Sequence, residues 1–320
     1  MMRHKIHILI SVVLAAAFFI AGCQDPKVLL DEATRLEQEG QVDEALAALN
    51  QATEADATFS QAYSMKGDIY QQQGKLEQSS EQYELAVRYN PISYEDLFNL
   101  GKVNFALERY EKAVGAFVRA LELNPESYDA NYFTAKTYYK LGDYDRALNL
   151  ATEARILDPD NTELEILFGD IYTATSNYET AIAEYRRALE REGNKPEIMI
   201  PLGLAYIRSS NFDVARELLN ETIRVAPDDP RIYQYLGYLD LRGKDFDGSI
   251  ENYRIASSLK PGDQLTLKGS GVAYILKGFR DRDPVLKDRG IEQWRVALRL
   301  EPNQPGLRQL IRRYSRATIQ

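Results

Sequence analysis

The sequence predicts an all-α fold in which one helical hairpin is repeated along almost the whole chain. Small residues recur every 34 positions, and aromatic residues and prolines keep the same spacing. The first series of small residues is Ala33, Gly67, Gly101, Ala135, Gly169, Gly203, Gly237 and Gly271. A period of this length is typical of stacked helical repeats, in which each unit buries its apolar face only against its neighbours.

Two further series of small residues run in step with the first. The second is Ala45, Ser79, Ala113, Ala147, Ala181, Ala215 and Ser249, and the third is Ala52, Ala86, Ala120, Ala154, Ala188, Thr222 and Ala256. Two antiparallel helices approach closely only where side chains are small, so the first two series predict the contact within a hairpin. The third series predicts the contact with the following hairpin. Prolines close most units because proline cannot continue a helix.

This order of small, aromatic and proline positions resembles the tetratricopeptide repeat, a helix–turn–helix unit. The resemblance implies a right-handed superhelical solenoid of about eight repeats with a C-terminal capping helix. The predicted repeats are residues 26–59, 60–93, 94–127, 128–161, 162–195, 196–229, 230–263 and 264–304, and the predicted capping helix is residues 305–320. The eighth repeat is longer than the others, and its surplus is expected as a solvated loop at residues 279–284.

The N-terminal segment is typical of a secretory leader. A basic stretch, Arg3–Lys5, precedes an apolar run, Ile8–Gly22, that is too short for a good membrane span. The segment Ile20–Cys23 resembles the bacterial lipobox, and Cys23 is the only cysteine in the chain. The resemblance implies a signal peptide over residues 1–22, acylation of Cys23 and a short linker over residues 23–25. The alternatives are a plain signal peptide or an N-terminal anchor helix that contains a cysteine.

The residue after Cys23 bears on localisation. In enterobacterial lipoproteins an Asp at this position retains the protein in the inner membrane, whereas this chain has Gln24. The resemblance therefore implies the periplasmic face of the outer membrane, if the cell has one.

Removal of the leader also removes both histidines, His4 and His7. A mature chain without histidine, and with its single thiol acylated, lacks His-based acid–base groups, Ser–His and Cys–His nucleophile pairs, and His or Cys metal ligands. We expect no enzymatic activity, no metal and no cofactor other than the covalent lipid on Cys23.

The charge distribution argues against nucleic acid as the main ligand. The chain has 39 Lys and Arg against 48 Asp and Glu, and its formal net charge is −9. Residues 264–320 are the exception, because they are rich in Lys and Arg. This basic end could contact anionic headgroups, glycans or an acidic partner, but a solvated charged face is the favoured interpretation.

In the repeat family the concave wall is lined by positions two, five, nine and twelve of the first helix of each unit. On this sequence the resemblance assigns a groove to Phe98, Lys102, Phe105, Tyr132, Lys136, Tyr139, Ile200, Leu204, Ile207, Tyr238 and Leu241. Contiguous exposed apolar residues usually mark an interaction site, and aromatics with lysines suit a peptide carrying some acidic groups. The alternatives are that neighbouring helices cover these side chains, or that a terminal helix occupies the groove.

The favoured hypothesis is a non-enzymatic, lipid-anchored scaffold that binds a protein or peptide segment and assists assembly of an envelope complex of the secretion or pilus type. The alternative is a glycan-associated scaffold in polysaccharide export or in the control of peptidoglycan hydrolases. An enzyme is the third and least favoured class, because the mature chain has no histidine.

Overall fold

The computed structural model describes residues 25–317, which form seventeen α-helices and no strand. The proposed signal peptide and Cys23 lie outside the described residues. The chain divides into two compact units, one ending at Asp160 and one beginning at Asn161. We call them the N-terminal half and the C-terminal half.

The N-terminal half contains eight helices that pair consecutively into four hairpins. They are α1 (Pro26–Gln38), α2 (Val42–Ala55), α3 (Ser60–Gln72), α4 (Leu76–Tyr89), α5 (Tyr94–Ala106), α6 (Tyr110–Leu123), α7 (Tyr128–Leu141) and α8 (Tyr144–Leu157).

The C-terminal half contains four further hairpins and a final helix. They are α9 (Thr162–Ala174), α10 (Tyr178–Glu192), α11 (Pro196–Arg208), α12 (Phe212–Thr222), α13 (Pro230–Arg242), α14 (Phe246–Leu259), α15 (Gln264–Asp281), α16 (Pro284–Leu300) and α17 (Pro305–Arg316). Each hairpin falls within one of the repeats that the 34-residue period predicts.

The two helices of a hairpin meet at a small residue of the first helix and a large residue of the second. A Cβ atom built on Gly67 would lie 2.8 Å from the Tyr83 ring, and one built on Gly169 would lie 2.5 Å from the Tyr185 ring. Real Cβ atoms do not approach other atoms so closely, so the glycine is what allows the ring to enter. The large residue stands sixteen positions after the small one in both hairpins.

The second series of small residues closes the same contact from the other helix. Where the series has serine, the hydroxyl donates a hydrogen bond to the carbonyl of the facing glycine: Ser79 to Gly67 and Ser249 to Gly237, both at 2.8 Å. At these two positions the serine is small enough for the helices to approach, and its buried hydroxyl has a hydrogen-bond partner.

The turn inside each hairpin contains one residue with a positive φ angle. The series is Gly40, Gly74, Glu108, Gly142, Ser176, Ser210, Lys244 and Arg282. Glycine adopts this left-handed backbone without steric cost, as at Gly74 (φ 71°), whereas Glu108 (φ 57°) adopts it at a cost of about 1 kcal/mol. The tight turn is thus kept even where the sequence offers no glycine.

The eighth repeat corrects one expectation. Its seven extra residues lengthen both helices, to 18 residues in α15 and 17 in α16, so the expected solvated loop at residues 279–284 is wrong. The backbones of α15 and α16 approach closely at Gly278, where a Cβ atom would lie 2.7 Å from the Lys287 backbone nitrogen. This close approach allows the two helices to stay in contact over their added length. Asp283 then begins α16 by accepting hydrogen bonds from the backbone N–H groups of Val285 and Leu286.

The helix α17 packs its apolar face against the last hairpin. Leu307 is buried, and the Tyr314 ring lies 5.7 Å from the ring of Trp294. The remaining face of α17 is exposed and carries four arginines. The helix therefore covers apolar surface of the eighth repeat and shows a polar surface to solvent.

No helix within residues 25–317 combines the length and the apolar character that crossing a membrane requires.

Substitution of Gly169 by valine tests the helix contact. The added side chain would meet the Tyr185 ring, and such overpacking costs about 1–3 kcal/mol of folding free energy. We expect loss of hydrogen-exchange protection in α9 to α12 before the rest of the C-terminal half. Gly115→Val is the control, because a Cβ at Gly115 meets nothing within 4 Å. Equal effects of the two substitutions would contradict the contact.

Candidate functional site

A cluster of rings and lysines lies on α5 and α7, the first helices of the third and fourth repeats. We call it the aromatic–lysine site, and it comprises Phe98, Lys102, Phe105, Tyr132, Phe133, Lys136 and Tyr139. On each helix the predicted members are three or four residues apart, so they share one helical face. Both helices belong to the N-terminal half.

Phe133 connects the rings of the two helices. Its ring centroid lies 5.7 Å from that of Phe98, 6.4 Å from that of Phe105 and 5.4 Å from that of Tyr132, each in an edge-to-face arrangement. This geometry is favourable for aromatic pairs. Phe133 therefore joins the two rings predicted on α5 to the Tyr132 ring of α7 in one aromatic cluster.

The two lysines lie over these rings. The Lys102 amine is 5.7 Å from the Phe98 ring centroid. The Lys136 amine is 5.2 Å from the Tyr132 ring and 5.9 Å from the Phe105 ring, and it donates a hydrogen bond to the Tyr132 hydroxyl at 3.2 Å. Neither lysine forms an ion pair with another residue of the described chain, so the site displays two cations over an aromatic surface.

Burial changes the roles assigned to the rings. Tyr132 is only 4% exposed, so it is a packed residue and not an open groove residue. Phe98, Phe105 and Tyr139 are half-buried and retain accessible surface. The site therefore combines both interpretations left open by the sequence: its base is packed core, and its upper surface is accessible.

Phe133 is the residue that the sequence interpretation missed. It occupies position six of its repeat, which is not among the four positions taken from the family. The equivalent residues in the other repeats are Asp31, Met65, Asn99, Leu167, Pro201, Tyr235 and Gly269. The signal that could have identified Phe133 is the variation at position six in an otherwise regular repeat. A side chain that the packing of the repeats requires would have a similar size in every repeat.

The later predicted groove residues separate into two groups. Ile200 is fully buried and belongs to the core around α13, so its prediction as a groove residue is wrong. Leu204 and Tyr238 line a cleft of about 390 Å³ in the C-terminal half. Ile207 touches the same cleft, but it is buried in the core that contains Ile200, so its prediction as an open groove residue is also wrong. Leu241 is half-buried outside the lining of that cleft.

An acidic cleft lies on α1 and α3 of the N-terminal half. It has a volume of about 600 Å³ and is lined by Glu37, Met65, Asp68, Gln71 and Gln72. Burial raises the pKa of the Asp68 carboxyl above its usual value, against the opposing effect of the Tyr83 hydroxyl, which donates a hydrogen bond to it at 2.5 Å. The N-terminal half thus has an acidic surface on its first two repeats and a cationic, aromatic one on the next two.

The chemistry of the aromatic–lysine site suits binding of a partner. Within residues 25–317, no group of three His, Cys, Asp or Glu side chains is placed to hold a metal ion. The aromatic–lysine site offers rings and ammonium groups, which recognise apolar and anionic groups on a partner.

Comparison with known families gives the assignment of the fold. A tetratricopeptide repeat model matches residues 30–77, 64–128, 99–162 and 132–197, and a second model of the same repeat matches residues 172–236. The chain belongs to the tetratricopeptide repeat family. Tetratricopeptide repeats typically form non-enzymatic interaction scaffolds, and this chain is a scaffold for protein–protein interaction.

Solved structures confirm the all-α repeat fold. A tetratricopeptide repeat protein from Parabacteroides merdae is 15% identical, with a TM-score of 0.61 over 78% of this chain and 98% of that one. PilF of Pseudomonas aeruginosa is 17% identical, with a TM-score of 0.55 over 69% of this chain and 97% of that one. The Cut9–Hcn1 hetero-tetramer of the APC/C is 17% identical, with a TM-score of 0.64 over 89% of this chain and 55% of that one. At this identity the likeness concerns the fold alone. No curated protein matches the sequence significantly.

Truncation of Tyr132 tests the packed base of this tetratricopeptide repeat site. Tyr132→Ala removes a buried ring, and we expect a loss of about 3–5 kcal/mol of folding free energy in a thermal or denaturant melt. Tyr132→Phe keeps the ring and loses the hydrogen bond from Lys136, so it should cost about 1 kcal/mol. An unchanged melt for Tyr132→Ala would show that the ring is not packed.

Proposed function

We propose that the protein is a lipid-anchored, non-enzymatic adaptor of the bacterial envelope, and that its aromatic–lysine site holds a segment of a protein partner during assembly of a secretion-type or pilus-type complex. The observation that carries the proposal is the pair of lysines: Lys102 lies over the half-buried Phe98 ring and Lys136 over the half-buried Phe105 ring, and neither has an ion-pair partner among the described residues.

The chemistry of the site defines the kind of segment. The half-buried rings of Phe98, Phe105 and Tyr139 offer apolar surface that a partner side chain can cover. The two ammonium groups favour carboxylates beside that side chain. In a protein with a negative net charge, such a local cationic site steers an acidic segment towards it and repels basic ones.

The anchor is supported by the sequence alone. The apolar run that ends in Ile20–Cys23 resembles a lipobox, and Cys23 is the only cysteine. Acyl chains at Cys23 would hold the protein on a membrane, since each buried methylene contributes about 0.8 kcal/mol. With Gln24 after Cys23, the proposal puts the anchor at the periplasmic face of the outer membrane, in a cell that has one.

Substitution of Cys23 by alanine tests the anchor. We expect an uncleaved precursor that stays in the membrane fraction, because the lipoprotein peptidase requires an acylated cysteine. The measurement is the mass of the protein and its distribution between membrane and soluble fractions. A soluble mature protein of normal size from Cys23→Ala would refute lipidation and leave a plain signal peptide.

A photo-crosslinking amino acid tests the site in intact cells. At Tyr139 it should give a discrete protein adduct, whereas at Lys112, which is exposed on α6, it should give none. Mass spectrometry of the adduct should identify an envelope protein. Adding Lys102→Gln and Lys136→Gln should weaken the adduct, because two cations of the site are lost.

The same experiment separates the alternative functions. A diffuse adduct that a glycosidase removes would favour the glycan-associated scaffold. Equal protein adducts at Tyr139 and Lys112 would contradict the assignment of the site.

A further inference from the structure

The cleft in the C-terminal half is a second place where rings and unpaired cations meet. It lies on α11 and α13, with further lining residues from α10, α12, α14 and α15, and its volume is about 390 Å³. Cavities of this size hold one or two side chains of a bound molecule. Its apolar lining includes Leu204, Phe212, Tyr235, Tyr238 and Leu265.

The charge of the lining is unusual for this protein. Asp and Glu outnumber Lys and Arg in the chain, yet the only charged residues that line the cleft are Arg208 and Arg242. Neither forms an ion pair with any residue of the described chain. Two guanidinium groups beside an apolar cavity attract a carboxylate that arrives with an apolar group.

Arg242 stacks on a ring at the edge of the cleft. Its guanidinium carbon lies 5.0 Å from the Phe212 ring centroid. Stacking on a ring reduces the side-chain freedom that would otherwise be lost on binding. Arg242 is therefore a preorganised cation at the edge of the cleft.

The neutral polar groups of the cleft have a smaller part in recognition. The Gln234 amide nitrogen already donates hydrogen bonds to Asp263 and Thr266, each at 2.9 Å. Burial raises the pKa of the Tyr235 hydroxyl above its usual value, so this group stays neutral at physiological pH. Specific recognition of a charged group therefore falls to the two arginines.

Part of the apolar lining faces solvent. Tyr238 is 41% exposed and Leu265 is 54% exposed. A bound apolar side chain would remove this surface from water, which favours binding in proportion to the apolar area covered. The cleft therefore favours a ligand with both an apolar side chain and a carboxylate.

We infer that this cleft binds a peptide segment in which an aromatic or large aliphatic side chain stands next to an acidic residue. The apolar side chain enters between α11 and α13, and the carboxylate meets Arg208 and Arg242. The inference rests on the proposed function only in taking the ligand from a protein partner, and it adds a second contact on the other half of the chain.

A pair of short peptides tests the inference. The probes are acetyl-Gly-Phe-Asp-Gly-amide and its twin with Asn in place of Asp, and the protein is the chain from residue 23 with Cys23→Ser. This form keeps every described helix, because the first begins at Pro26. Calorimetric titration should show about tenfold tighter binding of the Asp peptide, the difference expected of one charge-assisted contact.

Variants assign the difference to the cleft. The double variant Arg208→Gln with Arg242→Gln should lower the affinity for the Asp peptide about tenfold and make the two peptides equal. Arg224→Gln, which changes an exposed arginine outside the cleft lining, should leave both affinities unchanged. Tyr238→Ala should weaken both peptides by the same factor, because it removes apolar surface and no charge.

Three results would overturn the inference: equal affinity of the two peptides for the parent chain, an equal loss from Arg224→Gln, or no detectable binding of either peptide. The peptide comparison on the parent chain decides the matter even if the double variant fails to fold. The peptide titration and the adduct at Tyr139 test different sites. A negative titration would not contradict the aromatic–lysine site, and absence of the adduct would not contradict the cleft.

Discussion

The contact between a small residue on the first helix of a hairpin and a large residue on the second is the constraint on which the fold depends. At Gly67 and Gly169 even a methyl group would collide with the facing ring. Because the rings of Tyr83 and Tyr185 are almost fully buried there, the same contact closes the hairpin and supplies its core. Each hairpin also packs against its neighbours within the same half, so one local rule, repeated, builds each half.

This constraint explains why the sequence was so informative about the fold. A helix contact that recurs in every repeat requires a small residue at the same position of every repeat. The small residues therefore recur every 34 positions, and this spacing is visible in the sequence alone. The eighth repeat departs from this regularity. A length change can enter a loop or extend two helices, and the choice depended on Gly278, where a glycine allows backbone to approach backbone.

The sites were less predictable, because side chains that bind a partner are those that the array does not require. Family positions located Lys102, Lys136 and the half-buried rings, but they could not show that Tyr132 would pack beneath its neighbours or that Ile200 would enter the core. Burial depends on how adjacent hairpins meet, which a single repeat does not record. Position six varies freely along the chain, and it provides Phe133 to one site and Tyr235 to the other.

The arginines of α17 have a consequence for assembly. Stacked repeats leave an apolar face at their last unit, and an uncovered face of this kind can accept another copy of the same chain and grow into an open filament. Here Leu307 is buried against the last hairpin, while Arg308, Arg312, Arg313 and Arg316 are exposed on a helix that contains no acidic residue. Two copies of this basic surface repel each other, so direct pairing of two chains through α17 is disfavoured.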